Sequence, residues 1–264
     1  MRNLINELLE KEKIEYFGVI PMSEVKIINE SLYERSFTDF TPKSIIILLV
    51  PYYAGEFEGR NISRYAVPRD YHLYFKNLYS RIEAELNEKY PEYSFKGFAD
   101  HSPIGETYAA AKCGLGVVGD LFQLINEKYG SHVFIGEIFT DAEFDSYDLT
   151  EVKFCSHCGK CRSACPCENE CLSEITQRKG ELSDREKKLI IESGCYWGCD
   201  ICREACPMNA SCAVTPIDFF REDLTPHVTC ELIEGMTKDE FSSRAYGWRG
   251  KKTILRNLEL KNIK

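Results

Sequence analysis

The sequence predicts an α/β layered domain over residues 1–145, a cysteine-rich domain over 146–225 and a short basic helical tail over 226–264. Three observations carry this division. Strand-like apolar runs alternate with helical patterns as far as residue 140. Two cysteine blocks, each closed by Cys-Pro, lie between Cys155 and Pro207. From Arg244 to Lys264, seven Lys or Arg stand against one Glu, which reads first as a solvated helix face.

Met1 to Lys13 has Leu4, Ile5, Leu8 and Leu9 on one face, the pattern of an amphipathic helix. Ile14 to Ile20 and Ser44 to Val50 read as strands, and the second is a continuous apolar run, as expected when both faces are buried. Lys26 to Arg35 between them is helical in character. Asp70 to Tyr90 carries Tyr71, Tyr74 or Phe75, Leu78, Ile82 and Leu86 at helical spacing, with Asp70 placed to cap it. Phe95 to Ala99 is a strand leading into Asp100. Pro103 to Cys113 reads as a helix stopped at Gly114, for which Asp100 is a candidate cap. Leu121 to Asn126 and His132 to Phe139 suggest a strand pair turning around Tyr129-Gly130. Glu143 to Thr150 is acidic and polar, the composition of a linker. Ser183 with Glu186 and Thr237 with Glu240 are capping boxes, and a basic helix starts near Lys252.

The first cysteine block is Cys155-Ser-His-Cys158-Gly-Lys-Cys161-Arg-Ser-Ala-Cys165-Pro166, the C-x2-C-x2-C-x3-C-P spacing of a bacterial iron–sulfur site. The second, Cys199-Asp-Ile-Cys202-Arg-Glu-Ala-Cys206-Pro207, repeats the C-x2-C-x3-C-P half. In two-cluster proteins three cysteines of a run hold one cubane and the fourth reaches to the other. That logic groups Cys155, Cys158 and Cys161 with Cys206, and Cys165 with Cys199 and Cys202. The eighth ligand is then Cys171 or Cys195, which spacing alone leaves open. A zinc ribbon needs four ligands and leaves two Cys-Pro blocks unexplained. Cys113, Cys167, Cys212 and Cys230 are spare, and a spare thiol commonly packs as a small hydrophobe.

Thirteen cysteines without a signal-peptide pattern imply a reducing, cytoplasmic setting and metal ligation in place of disulfides. No apolar run is long enough to span a bilayer. A net charge of −9 speaks against a dedicated nucleic-acid binder, although charge can be segregated into the tail. Gly114-Leu-Gly116-Val-Val-Gly119 has the spacing of a dinucleotide loop but follows a helix, so it reads as turn glycines. Two cubanes form a wire, and about 150 residues of α/β structure preceding them are enough to hold a substrate or an organic cofactor.

Several stretches, in consistent order, carry a family resemblance: Ser63-Arg-Tyr-Ala-Val-Pro-Arg-Asp-Tyr-His72, Phe98-Ala-Asp100-His-Ser-Pro-Ile-Gly-Glu106, Cys113-Gly-Leu-Gly-Val-Val-Gly119, Gly136-Glu137 and Trp248-Arg-Gly-Lys-Lys252. With the cysteine blocks, they resemble the epoxyqueuosine reductases of queuosine tRNA modification. The resemblance implies a nitroreductase-like α/β domain binding base-off cobalamin, followed by a ferredoxin-like domain with two [4Fe–4S] clusters. It implies reductive removal of an epoxide oxygen with two electrons and two protons, the electrons reaching a nucleophilic Co(I) from a ferredoxin- or flavodoxin-type donor. The implied substrate is tRNA or a smaller queuosine precursor.

Carried over by position, Asp100 matches the family's proton donor, which must be kept protonated by burial against the corrin to act near neutral pH. Tyr71 and His72 match residues of the cobalamin pocket. Leu124, Asn126 and Ile135 fall on strands that line the corrin. Cys171, in Cys-Leu-Ser-Glu-Ile-Thr-Gln177, matches the family's eighth cluster ligand, and Thr176 and Gln177 could face cofactor or substrate. The chain departs from the family at Pro68, commonly Gly, and at Asp120-Leu121, commonly Lys followed by Asn or His. Its amino-terminal region is shorter, and longer members continue past Lys252 into tRNA-gripping helical repeats. Two alternatives follow: a paralogous reductase of another small molecule, and a two-cluster electron carrier without cobalamin.

Overall fold

The apolar run beginning at Ser44 becomes the strand on which the first half of the molecule is built. The computed structural model describes residues 1–167 and 169–262. Its elements run α1 (Arg2–Lys11), β1 (Tyr16–Pro21), α2 (Glu30–Ser36), β2 (Ser44–Pro51), α3 (Tyr71–Lys89), β3 (Phe95–Ala99), α4 (Glu106–Lys112), β4 (Val117–Val118), β5 (Leu124–Ile125) and β6 (Val133–Thr140). Then follow α5 (Lys160–Ala164), α6 (Leu172–Gln177), α7 (Asp184–Ser193), α8 (Ile201–Glu204), α9 (Cys230–Gly235), α10 (Lys238–Ser242) and α11 (Lys251–Glu259). The fold is mixed α/β and divides into two compact units. One holds Met1–Tyr52, Tyr74–Cys158 and Ser211–Ile217; the other holds Tyr53–Leu73, Gly159–Ala210 and Asp218–Lys264.

In the first unit four strands form an antiparallel sheet in the order β1-β2-β6-β3, and β4 pairs with β5 in a separate two-stranded sheet. Every residue of β2 is buried, as its unbroken apolar sequence requires. Ile5, Leu8 and Leu9 are the buried face of α1, and Tyr74, Phe75, Leu78, Tyr79, Ile82 and Leu86 that of α3. Asp70 accepts the His72 N–H at 3.0 Å, the expected capping contact.

Three local expectations change. Leu121–Asn126 and His132–Phe139 do not pair: β5 pairs with β4, whereas β6 lies between β2 and β3. The turn between them is closed by reciprocal Asn126–Gly130 backbone bonds of 2.9 Å. The helix expected from Pro103 begins at Glu106 with Gly105 as N-cap, so Asp100 does not cap it. The acidic segment after Glu143 is not a free linker. Asp148 donates its N–H to Val19 O and accepts the Val19 N–H, both at 2.8 Å, and so occupies the outer edge of β1.

Two glycines make room for one tyrosine. The Tyr79 ring lies where a Cβ on Gly97 would stand, and a Cβ on Gly136 would come within 2.7 Å of Tyr79 Oη and 2.6 Å of Phe75 Cε1. The Tyr79 hydroxyl donates to Phe98 O on β3 and accepts the Glu137 N–H on β6 at 3.1 Å. Gly136→Ala should therefore cost about 1–3 kcal/mol of stability by overpacking, read as a lower denaturation midpoint at unchanged slope.

In the second unit Trp197, Phe241 and Tyr246 centre an apolar core closed by Ile190, Ile233 and Ile254. Both expected capping boxes are present, at Ser183 and Thr237. The basic tail is not solvated all round: α11 buries Thr253, Ile254, Asn257 and Leu258. Asn257 Nδ2 donates to Thr176 O at 2.7 Å and Tyr196 O at 2.8 Å. Ile263 and Lys264, counted in that tail, lie outside the described residues. No described helix is long and apolar enough to cross a membrane.

Candidate active site and cluster ligands

Asp100 follows β3 with φ +67°, a left-handed conformation that few non-glycine residues adopt, Asp among the more tolerant. Strain of this kind persists only where the surroundings fix it, and here they do. His101 N–H donates to Ala99 O at 2.9 Å and Ser102 N–H to Asp100 O at 3.0 Å. Pro103 O accepts the N–H of Ile28 at 2.8 Å and of Asn29 at 3.1 Å, and Gly105 N–H donates to Lys26 O at 3.2 Å. The turn is thus pinned while Asp100 itself is exposed.

Beneath it lie two acids whose roles sequence reasoning missed. Glu137 is opposite Phe98 in the β3–β6 register and fully buried. Its Oε2 accepts the Ser102 hydroxyl. Glu106, the first residue of α4, has its carboxyl at the backbone of Asp100. Burial, and for Glu106 also the charges of Glu137 and Asp100, push both carboxyls far above the ordinary carboxylate range. Both residues stand in the stretches that carried the resemblance; the signal that could have singled them out is a lone acid inside an otherwise apolar strand and another opening the helix after Asp100.

This pair makes stability depend on pH. A carboxyl with a raised folded value keeps its proton when the unfolded chain has lost its own. Its stabilising effect is complete below the ordinary carboxylate range and is lost as pH rises through the folded value. The thermal midpoint should fall between about pH 5 and about pH 9, and Glu137→Gln should flatten that fall.

The other predicted site residues separate into three situations. Tyr71 and His72 stack at 4.2 Å, with His72 Nδ1 at 2.8 Å from Asp70 Oδ1 and the imidazole more than half exposed. Leu124 is buried and Ile135 half-buried against the same apolar core. Asn126 has its amide engaged inside the fold: Nδ2 donates to Leu115 O at 2.9 Å, and Oδ1 accepts from Lys128 N at 3.0 Å and Tyr129 N at 3.1 Å. Thr176 is fully buried, donating to Ser173 O and accepting from Gly198 N, both at 2.9 Å, so its side chain faces the core. Gln177 borders an open depression with Cys171, Ser173, Glu174, Arg178 and Arg249.

None of the thirteen cysteines forms a disulfide. In the second unit α5, between Cys158 and Cys165, packs against α8, which carries Cys202 and lies between Cys199 and Cys206. Asp200 inside the second block is buried and accepts three donors: Ser63 Oγ at 2.7 Å, Arg64 N at 2.7 Å and Arg60 Nη1 at 3.0 Å. The Ser63-Arg64 stretch therefore anchors the loop that presents Cys199 and Cys202. Cys165, Cys171, Cys199 and Cys202, one expected ligand set, all fall in this unit. Cys195, the rival eighth ligand, has its Sγ 3.5 Å from Trp197 O and 3.4 Å from Gly198 O. Cys155 lies in the first unit, where its Sγ, an Asp120 oxygen and a His157 ring nitrogen fall within 4.8 Å of one another. Asp120 Oδ1 is 2.6 Å from His157 Nδ1.

The same unit exposes three aromatic side chains. Tyr108 on α4 and Phe154 meet edge to face at 6.5 Å, and Thr107 Oγ1 holds the Phe122 carbonyl at 3.1 Å. All three rings are open to solvent.

A family model described as "Epoxyqueuosine reductase QueG, DUF1730" matches residues 40–101. The epoxyqueuosine reductase of Cyclobacterium marinum is 30% identical over 217 residues, covering 76% of this chain and 68% of the relative. A crystal structure of epoxyqueuosine reductase with an epoxyqueuosine-modified tRNA-Tyr stem loop superposes with a TM-score of 0.78 at 23% identity, covering 98% of this chain and 81% of that one. The Bacillus subtilis enzyme, solved with its catalytic aspartate loop swung out of the active site, gives 0.77 at 22% identity, with 98% and 81% covered. Identity of 30% sustained over that share of the Cyclobacterium protein, with a family match that ends at the Asp100 turn, means that this chain belongs to the epoxyqueuosine reductase family.

Proposed function

We propose that this chain is a cytoplasmic, cobalamin-dependent reductase with two [4Fe–4S] clusters that converts epoxyqueuosine to queuosine in tRNA. In this reading a nitroreductase-like domain carries the substrate site and a ferredoxin-like domain carries the clusters. The observation that carries it is the Asp100 turn: an exposed acid in a strained, pinned conformation over buried carboxyls. The relative solved with a modified tRNA stem loop supports tRNA as the form of the substrate.

The residues present fit the cofactors. Eight cysteines outside any disulfide supply the soft donors that cubanes take. Cys155, Cys158, Cys161 and Cys206 would hold one cluster, and Cys165, Cys171, Cys199 and Cys202 the other. The exposed Tyr108, Phe122 and Phe154 offer apolar area that a corrin would cover. When bound, these groups supply low-potential electrons and the metal nucleophile that side chains lack. The chain's own part is to orient the epoxide and to give the departing oxygen a proton from Asp100. A ferredoxin- or flavodoxin-type protein is the electron donor in this account.

The test is anaerobic reconstitution with iron, sulfide and cobalamin, followed by assay on epoxyqueuosine-containing tRNA with a strong reductant. Queuosine formation and a corrin absorbance that stays with the protein are expected. Corrin uptake with no queuosine from tRNA or from the free nucleoside would overturn the substrate assignment.

A further inference from the structure

The reaction proposed above consumes two protons at a site where Asp100 carries one. The chain's remaining acids near that turn are Glu106, at the Asp100 backbone, and Glu137, on the strand beneath. Each has one buried carboxyl oxygen, Oε1, without a hydrogen-bond partner among the described residues. A buried carboxylate oxygen lacking a donor is costly, and two such oxygens on interacting acids doubly so. Protonation removes the cost, because a carboxylic acid offers a donor where a carboxylate has only acceptors. The groups facing the pair do not neutralise it otherwise. From α3 come Tyr79, whose hydroxyl serves Phe98 O and Glu137 N, and Glu83, which accepts the Gly97 N–H at 2.8 Å. From the turn come Asp100 and the Ser102 hydroxyl bonded to Glu137. Lys96 acts on Glu83 and spends its ammonium on Ser36 O at 2.6 Å.

We propose that Glu106 and Glu137 are a proton store that recharges Asp100 within each turnover, a role that rests on Asp100 being the acid. Asp100 gives its proton to the oxygen leaving carbon. The O–H bond of Glu106 then breaks, an O–H bond forms on the Asp100 carboxylate, and the second proton reaches the same oxygen, which departs as water. The two electrons come from the low-potential protein donor. Asp100 is left as a carboxylate and the pair shares one proton and one negative charge, with Glu137 hydrogen-bonded to Ser102, until two protons from solvent restore both after product release. Neither glutamate touches substrate in this account; both act through Asp100.

Infrared spectroscopy of the full chain with its clusters reconstituted, without substrate, tests the store directly. A protonated-carboxyl C=O band should persist through neutral pH in the wild type. It should weaken in Glu106→Gln and in Glu137→Gln and persist in Asp100→Asn, and it should vanish when both glutamates are replaced in the Asp100→Asn background. Turnover of Glu106→Gln should fall about 10–100-fold with KM unchanged and the alkaline limb of its pH profile displaced to lower pH. A wild-type band that titrates away in the ordinary carboxylate range, or Gln variants with wild-type turnover and profile, would overturn the store while leaving Asp100 as the acid. Wild-type turnover in Asp100→Asn would remove the acid assignment and the store together.

Discussion

Cys199→Ser should lower the iron content of the anaerobically reconstituted chain from about eight to about four per molecule and abolish queuosine formation. The reasoning runs from the loop upward. Gly198 has φ +71°, and a Cβ there would stand 2.5 Å from the Ser63 Cβ, so the chain can enter the second block only through glycine. Asp200, bonded by Ser63, Arg60 and the Arg64 N–H, then fixes the turn that carries Cys199 and Cys202. A hydroxyl in place of the thiolate keeps this backbone but removes a soft ligand, so one cubane should be lost and the fold kept. Electrons that must pass two clusters then stop at one. Iron analysis with the visible absorbance of the reconstituted protein reads the first effect, and a steady-state assay reads the second. Cys195→Ser is the control: its thiol is engaged with two carbonyls, and iron content should stay near eight. A drop to about four there, with Cys171→Ser unaffected, would exchange the two residues in the ligand set.

The sequence announced β2, α3, β3 and both capping boxes because each is decided locally, by an apolar run, a helical period or a Ser/Thr with Glu three residues on. The cysteine blocks were legible for the same reason: their spacing is itself the chemistry. What stayed hidden depends on residues far apart in the chain. The β5–β6 hairpin looked natural, but β6 pairs with the distant strands β2 and β3, a choice made by residues far away in the chain. Asp200 stands between two cysteines with nothing in its neighbours to mark it, and the return of Ser63 and Arg64 makes it a buried anchor. Thr176 and Gln177 are neighbours in one motif, yet helix geometry buries the first and leaves the second at an open edge. Glu106 and Glu137 are separated by about thirty residues, and no periodicity brings them to one turn.

Asp100→Asn should reduce turnover on epoxyqueuosine by about 10²- to 10⁴-fold while leaving iron content and the denaturation midpoint near wild type. The amide fills the same volume and tolerates the same left-handed backbone, so the pinned turn survives. What disappears is the transferable proton. The departing oxygen must then take its proton from water, a poorer and less well-placed acid. Because the loss falls on a step and not on binding, kcat should drop with KM little changed. Asp100→Ala separates conformation from chemistry: alanine pays more for φ +67°, so its turn should loosen and KM should rise as well. Equal kcat and raised KM in the asparagine variant would make Asp100 a substrate-binding residue. A raised pH optimum for Glu137→Gln combined with an inactive Asp100→Asn would keep the acid but place its proton supply in solvent, because a chain-held store lost with Glu137 moves the alkaline limb the other way.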